Sequence, residues 1–420
     1  MRWLYTLLIY LVTPLVLLLL AFRGLHNRDW LKRWLQRFGW FDPPEKTGGI
    51  VVHAVSVGEV NAATSLVKAL SQRFPQLPLC LTTFTPTGSD RVHNLFQDEV
   101  FHVYVPLDLR GAVKRFFDRV QPVFLIIMET EIWPNLYFEA NRRDIPVMIA
   151  NARISERSLR GYRRFKRMTT AALSQVSWIA VQSNLDAERL LEIGADETRL
   201  AVTGNLKFDV ELQPDLLEQG EAIRQTWGSK RLVLVAGSTH EGDEKPVLEA
   251  FKQILRQWPE ALLVLVPRHP ERFGRAVQLT RAHGLTVCLH SELIDCPPSA
   301  QCFIVDAMGE LLRYYAACDV AFVGGSLEPI GGHNALEPAA LAKPVLFGPH
   351  TFNCKDITDQ LLNTGAAIRV HNARDLEETT ARLFRQPDAR DQMGRAGLEL
   401  VKSGQGALQR TLEIVQKLIT

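Results

Sequence analysis

The chain begins with an apolar run, Trp3–Phe22, that carries no charge over 20 residues and is richest in Leu. Beyond it the pattern changes. Short apolar or β-branched runs recur at Ile50–Val55, Leu79–Phe84, Phe101–Val105, Val123–Met128, Pro146–Ala150, Trp178–Val181 and Leu200–Thr203. Helix-length stretches lie between them, near 59–73, 87–97, 110–120, 132–143, 156–174 and 185–193. The alternation breaks over Asn205–Gly220. It restarts with Leu232–Ala236, Ala261–Val266, Leu285–Leu289, Cys302–Val305, Val320–Val323, Pro344–Phe347 and Ala366–Val370, and two further helices close the chain. Strand–helix alternation of this kind predicts parallel sheets, and continuously apolar strands fit sheets buried on both faces. The expected fold is α/β: two doubly wound, Rossmann-like domains facing an interdomain cleft, over 50–210 and 211–420. The last helix is free to pack back on the first domain.

Composition narrows the class. Hydrophobic residues are 46% and charged residues 22%, which excludes a polytopic membrane protein and a disordered chain. Lys plus Arg is 48 against 46 Asp plus Glu, a net charge of +2, so nothing global argues for a nucleic-acid partner. The six cysteines, Cys80, Cys288, Cys296, Cys302, Cys318 and Cys354, form no C-x-x-C and read as buried thiols in a reducing compartment.

About 20 apolar residues suffice to cross a hydrocarbon core. No small-x-small cleavage site follows the run, so residues 1–22 read as a retained anchor and 23–49 as a basic collar. Arg23, Arg28, Lys32, Arg33 and Arg37 stand against Asp29 downstream, which places the bulk of the chain in the cytoplasm. Pro14 and the aromatic residues Trp3, Tyr5 and Tyr10 leave open a helix lying in the membrane interface.

Several motifs are absent: a P-loop, a G-x-G-x-x-G after the first strand, H-E-x-x-H and G-x-S-x-G. Four strand-end loops carry chemistry instead. In HAVSVGEV (53–60), Glu59 sits in the first turn of a helix, where it either complements the helix dipole or acts as a general base; the dipole would lower its pKa and keep it ionised. In IIMETEIWPN (126–135), a buried strand runs into Glu129 and Glu131. In VPRHPERF (266–273), Arg268, His269 and Arg272 suit phosphate or carboxylate recognition, or form an ordinary surface loop. In VGGSLEPIGGHNALEP (323–338), two Gly pairs offer backbone N–H groups and a helix start to phosphate. There Asn334 is placed to cap the helix and Glu337 to meet ribose hydroxyls. Met308–Glu310 opens another helix. The run Arg157, Arg160, Arg163, Arg164, Lys166 and Arg167 is a solvated face or a site for lipid phosphate.

Taken together, the blocks SVGE (56–59), TPTGSDRV (85–92), METEIWPN (128–135), ANARIS (150–155), TGNLKFD (203–209), STHEGDE (238–244), PRHPERF (267–273), MGEL (308–311), FVGGSLEPIGGHNALEP (322–338) and GPHTFN (348–353) resemble, in order and over nearly the whole chain, the 3-deoxy-D-manno-octulosonic acid (Kdo) transferases of lipopolysaccharide assembly, glycosyltransferases of the GT-B class. The resemblance implies Glu59 as general base, with Glu129 and Lys207 supporting the transition state. It implies CMP contacts at Pro267 and Arg268, at Met308, Gly309 and Glu310, and at Asn334, Ala335, Leu336 and Glu337. The donor would be CMP-Kdo, bound by the C-terminal domain. The acceptor would be the tetra-acylated disaccharide bisphosphate precursor of lipid A, bound by the N-terminal domain at the cytoplasmic membrane surface. Inversion is implied, with no cofactor. The lack of a D-x-D-like pair beside the phosphate loop also argues against a required metal. Two other readings use the same fold: a nucleotide-sugar epimerase or hydrolase, which would need no bilayer, and a non-catalytic membrane scaffold, which would need no Glu59.

Overall fold

The structure, a computed structural model, describes residues 2–292 and 296–419. It divides into two compact units: one runs through Asp209 and includes the segment from Gly404 onward, the other is Val210–Ser403. The first unit carries β1 (Ile50–His53), β2 (Leu79–Thr83), β3 (Phe101–Tyr104), β4 (Phe124–Met128), β5 (Val147–Ala152), β6 (Trp178–Val181) and β7 (Leu200–Val202). The second carries β8 (Val233–Thr239), β9 (Leu262–Pro267), β10 (Val287–Leu289), β11 (Cys302–Ile304), β12 (Val320–Val323), β13 (Val345–Phe347) and β14 (Ala367–Arg369). Each apolar run read from the sequence forms one of these strands.

The sheet orders are β3-β2-β1-β4-β5-β6-β7 and β10-β11-β9-β8-β12-β13-β14, and every strand pair is parallel. Alternate side chains enter separate cores. Ile50 and Val52 pack on one face of the first sheet and Val51 on the other. Leu234 and Ala236 face one core of the second, Val233 and Val235 the other. Chain order reverses beside β1, which lies between β2 and β4, and beside β8, which lies between β9 and β12. Such switch points leave a crevice at the carboxyl ends of the strands, where ligands bind in open α/β sheets.

Two local features differ from the expectation, the stretch Asn205–Gly220 and the helix 156–174. Part of the stretch Asn205–Gly220 is helical, in a helix Leu216–Trp227. Gly220 lies inside that helix: a Cβ there would come within 2.5 Å of the Ala316 Cβ, so glycine permits the close approach of helix Leu311–Ala317. The predicted helix 156–174 splits at Phe165 into Glu156–Arg164 and Lys166–Leu173. The closing helix, Ala407–Ile419, packs with the first unit, and Asp209 ties its start by accepting the Gly406 and Leu408 N–H groups, both at 2.6 Å.

The N-terminal run forms α1 (Arg2–His26), continuous through Pro14. Among the described residues, Trp3–His26 is the one helix long and apolar enough to cross a membrane.

Candidate active site

In the first unit the switch point is lined by carboxylates. After β1 the chain turns through Ala54–Ser56 into the helix Val57–Arg73. Glu59, in the first turn of that helix, is buried and folds back: its Oε2 accepts the Val55 N–H at 2.8 Å and its Oε1 the Ser56 hydroxyl at 3.2 Å. The helix-dipole argument predicted a depressed pKa. Instead burial, joined by the nearby Glu129 and Glu131 charges, outweighs those hydrogen bonds and raises the carboxyl to about 8. A base of that strength is a better proton acceptor than an ordinary carboxylate.

Glu129 follows β4, the strand beside β1. Its φ is +54°, a left-handed conformation that costs an L-residue about 1–2 kcal/mol. Its carboxylate pairs with the Arg153 guanidinium at 3.0 Å. Glu131 accepts the Trp133 indole N–H at 2.8 Å, and burial raises its pKa.

Lys207 lies in the 3-10 turn Leu206–Phe208. The turn is fixed from below by Asn151 at the end of β5, whose Oδ1 accepts the Leu206 N–H at 3.0 Å, while Asn205 Oδ1 accepts the Lys207 N–H at 3.0 Å. Asn151 is fully buried with φ +56°, so two adjacent strands, β4 and β5, each carry a left-handed residue at or just beyond their carboxyl ends. Among the described residues the Lys207 amine has no ion pair.

In the second unit the switch point is between β8 and β12. Asp243, fully buried in the helix Glu241–Ile254, organises it. Its carboxylate accepts the N–H groups of His240 at 2.9 Å, Gly325 at 2.6 Å, Leu327 at 3.1 Å and Ser326 at 3.3 Å. This corrects the sequence reading of the first Gly pair: the donors of Gly325–Leu327 are occupied by an internal carboxylate and are not offered to a phosphate. The glycines permit the close packing, since a Cβ on Gly324 would meet the Ser238 carbonyl at 2.5 Å.

Beside this clamp lies a cluster of three histidines, of which only His269 stood out in the sequence. His240 and His333 stack with centroids 5.1 Å apart and share an Nε2–Nε2 hydrogen bond of 2.9 Å, and His269 meets His240 edge-on at 5.3 Å. Burial lowers both partners of the pair, His333 to about 3, so both are neutral and one ring donates to the other. His240 directly follows β8 in STHEGDE and His333 lies in the loop FVGGSLEPIGGHNALEP, and those blocks are the signal that could have found them.

Pro267 ends β9 and Arg268 follows it, half-buried, its charge felt at His240, His333 and Glu337. Among the described residues Arg268 has no ion pair. Arg272 does: it bridges Glu241 at 2.6 Å and the fully buried Glu244 at 2.5 Å. Of the two arginines in this loop, Arg268 is therefore free for an anion and Arg272 belongs to the fold.

Asn334 does not take the helix N-cap, a position held by Ala335 before the short helix Leu336–Ala340, but its Oδ1 accepts the Leu336 N–H at 3.1 Å. Its amide donates to Glu337 at 3.1 Å, and burial raises Glu337 to about 7 against the pull of Asn334 and Arg268. Ala335 and Leu336 are buried beneath. Met308 is exposed, Gly309 has φ +87°, and Glu310 precedes helix Leu311–Ala317 with its carboxylate 2.7 Å from Arg313.

The structure thus groups Glu59 with Glu129 in one unit, and Arg268 with Glu337 in the other. The basic run lies on the two helices that follow β5, the first of which donates the Tyr162 hydroxyl to the Thr130 carbonyl at 3.3 Å. Arg157, Arg160, Arg163, Arg164, Lys166 and Arg167 are all exposed there, and Arg163 is paired with Glu192.

Two Rossmann-ordered units, each with its chemistry at the switch point, define the GT-B fold. Solved structures share it: MurG from Acinetobacter baumannii, with TM-score 0.54 at 14% identity over 89% of this chain and 100% of that one, and the UDP-GlcNAc 2-epimerase from Neisseria meningitidis, also 0.54 at 14%, over 88% and 100%. The second of these is an epimerase, so the fold does not select the reaction.

Sequence relatives do. Residues 32–210 match the family described as 3-deoxy-D-manno-octulosonic-acid transferase (kdotransferase), and residues 228–400 match glycosyl transferases group 1. The 3-deoxy-D-manno-octulosonic acid transferase of Haemophilus influenzae is 40% identical over 99% of this chain and 98% of its own. The chain belongs to the 3-deoxy-D-manno-octulosonic acid transferase family and is a glycosyltransferase.

Proposed function

We propose that the protein moves Kdo from CMP-Kdo to the tetra-acylated disaccharide bisphosphate precursor of lipid A, lipid IVA, in lipopolysaccharide core assembly, with inversion, without a metal, at the cytoplasmic face of the inner membrane. The observation that carries this reading is Glu59, a buried carboxyl with raised proton affinity at the exit of β1, beside the switch point, in a chain of this family.

A sugar hydroxyl is a weak nucleophile near neutral pH. Glu59 takes its proton as the acceptor oxygen bonds to the Kdo anomeric carbon and the bond from that carbon to the CMP phosphate oxygen breaks. CMP leaves as an anion, so it needs charge stabilisation and no protein acid. Arg268 supplies a guanidinium suited to phosphate. The 308–310 turn and the Asn334–Glu337 start supply polar contacts to the nucleotide. Lys207 balances the Kdo carboxylate or the developing phosphate charge, and Glu129 supports the transition state. α1, the basic collar and the exposed cations of 157–167 hold the lipid acceptor and its phosphates near the first unit.

The test is a transfer assay with purified protein, CMP-Kdo and lipid IVA, read by mass spectrometry. Lipid heavier by one or more Kdo units supports the reading. CMP release without a heavier lipid would overturn the acceptor assignment, and activity abolished by a metal chelator would overturn metal independence.

A further inference from the structure

α1 has two unlike faces. Toward the first unit it turns Tyr5, Thr6, Ile9, Thr13, Val16, Leu17, Leu20 and Gly24, spaced as one helical stripe. This face is docked from end to end. The Tyr5 hydroxyl donates to Asp108 at 2.7 Å and the Thr6 hydroxyl to Asn135 at 3.2 Å. Ile9, Val16 and Leu17 pack on Leu107, Leu109 and Ala112, and Leu20 is buried. Asp108 is itself built into the unit, accepting the Asn135 and Leu136 N–H groups at 2.9 and 2.8 Å. From Thr6 to Leu20 the docked length is about 21 Å.

The opposite face is apolar and uncovered. Leu4, Leu11, Leu18 and Leu25 stand on one line of the helix with 67, 69, 68 and 80% of their surface exposed. α1 contains no carboxylate. Exposed cations flank it: Arg110 stacks over Trp3 at 5.5 Å, Arg23 over Trp30 at 5.1 Å, and Arg28 lies in the turn that follows. The stripe and its basic rim complement an anionic leaflet: apolar side chains enter the acyl boundary while guanidiniums meet headgroup phosphates.

The geometry points to α1 as a monotopic helix that lies in the plane of an anionic lipid leaflet along its whole length, and not as a span across the bilayer. A span would carry Tyr5 and Thr6, with Asp108 and Asn135 attached, into hydrocarbon or tear them apart, since carboxylates and backbone amides are costly there. Pro14 agrees: it has no N–H for the Tyr10 carbonyl, which headgroup water can satisfy in the interface. The inference rests on the membrane-lipid reading given above and says how the surface is engaged.

Nitroxide depth tests it. Leu4→Cys, Leu11→Cys, Leu18→Cys and Leu25→Cys, each in a Cys354→Ser background, are spin-labelled in the full chain and bound to vesicles of phosphatidylethanolamine and phosphatidylglycerol. The ratio of oxygen to nickel-chelate collision rates reports depth. The in-plane helix gives one shallow depth at all four sites. A ratio that peaks at Leu11 and Leu18 and falls at both ends, which lie about 32 Å apart along the axis, would overturn the in-plane placement and leave membrane attachment standing. Protein that stays in the supernatant would overturn the membrane reading itself. Labels shielded from both reagents, with a dimer mass in lipid-free solution, would place a second copy on the stripe and overturn the lipid assignment.

Discussion

The Glu59 carboxylate turns back on the strand that delivers it, with Oε2 2.8 Å from the Val55 amide nitrogen. A carboxylate held this way is aimed and desolvated together. Burial dominates, so the group takes up a proton near pH 8.

A pH dependence follows with a definite sign. The base works deprotonated, so kcat/KM for transfer rises with pH through about 8 and falls roughly tenfold per unit below about pH 7. An initial-rate profile from pH 5.5 to 9.5 checks this. A carboxylate at its ordinary value would give a plateau already reached near pH 6.

Arg268 and Arg272, four positions apart, separate binding from folding. Arg268→Ala weakens CMP binding by about 1.5–3 kcal/mol, the worth of a charged hydrogen bond, and leaves the unfolding midpoint nearly unchanged. Arg272→Ala strands the buried Glu244 carboxylate and destabilises the protein by about 3–5 kcal/mol. Calorimetric titration with CMP and thermal unfolding distinguish the two. Equal loss of stability in both variants would contradict the division.

Asn151 positions Lys207 through one hydrogen bond to Leu206. Asn151→Gly keeps the left-handed backbone comfortable and removes the acceptor together with the rest of the buried carboxamide. The expected result is a kcat lower by about 10- to 100-fold with the CMP dissociation constant unchanged. A wild-type kcat would show that the turn holds without it.

The strands were legible because each is an apolar run buried on both faces. Their order was not, since no residue in β1 or β8 reports which neighbours it will have. The switch points, and with them the proximity of Glu59 to Glu129, come from tertiary pairing. The Glu59 pKa was misread for the same reason: the helix dipole is local and visible in sequence, whereas burial is not. The close approach that Gly220 permits was not legible because its neighbour Ala316 lies 96 positions away in the chain. Asp243 hid in an acidic helix start, where a carboxylate has a sufficient local explanation, and its occupation of the Gly325–Leu327 amides appears only in three dimensions. The two arginines of PRHPERF look alike on paper and differ only in whether Glu241 and Glu244 are within reach.

The most direct test of Glu59 as the base is Glu59→Gln, which keeps the shape and removes the proton acceptor. Single-turnover transfer from CMP-Kdo to lipid IVA, measured beside the CMP dissociation constant, should fall by about 10²–10⁴-fold while CMP binding holds. Turnover above a tenth of wild type, with binding intact, would contradict the account.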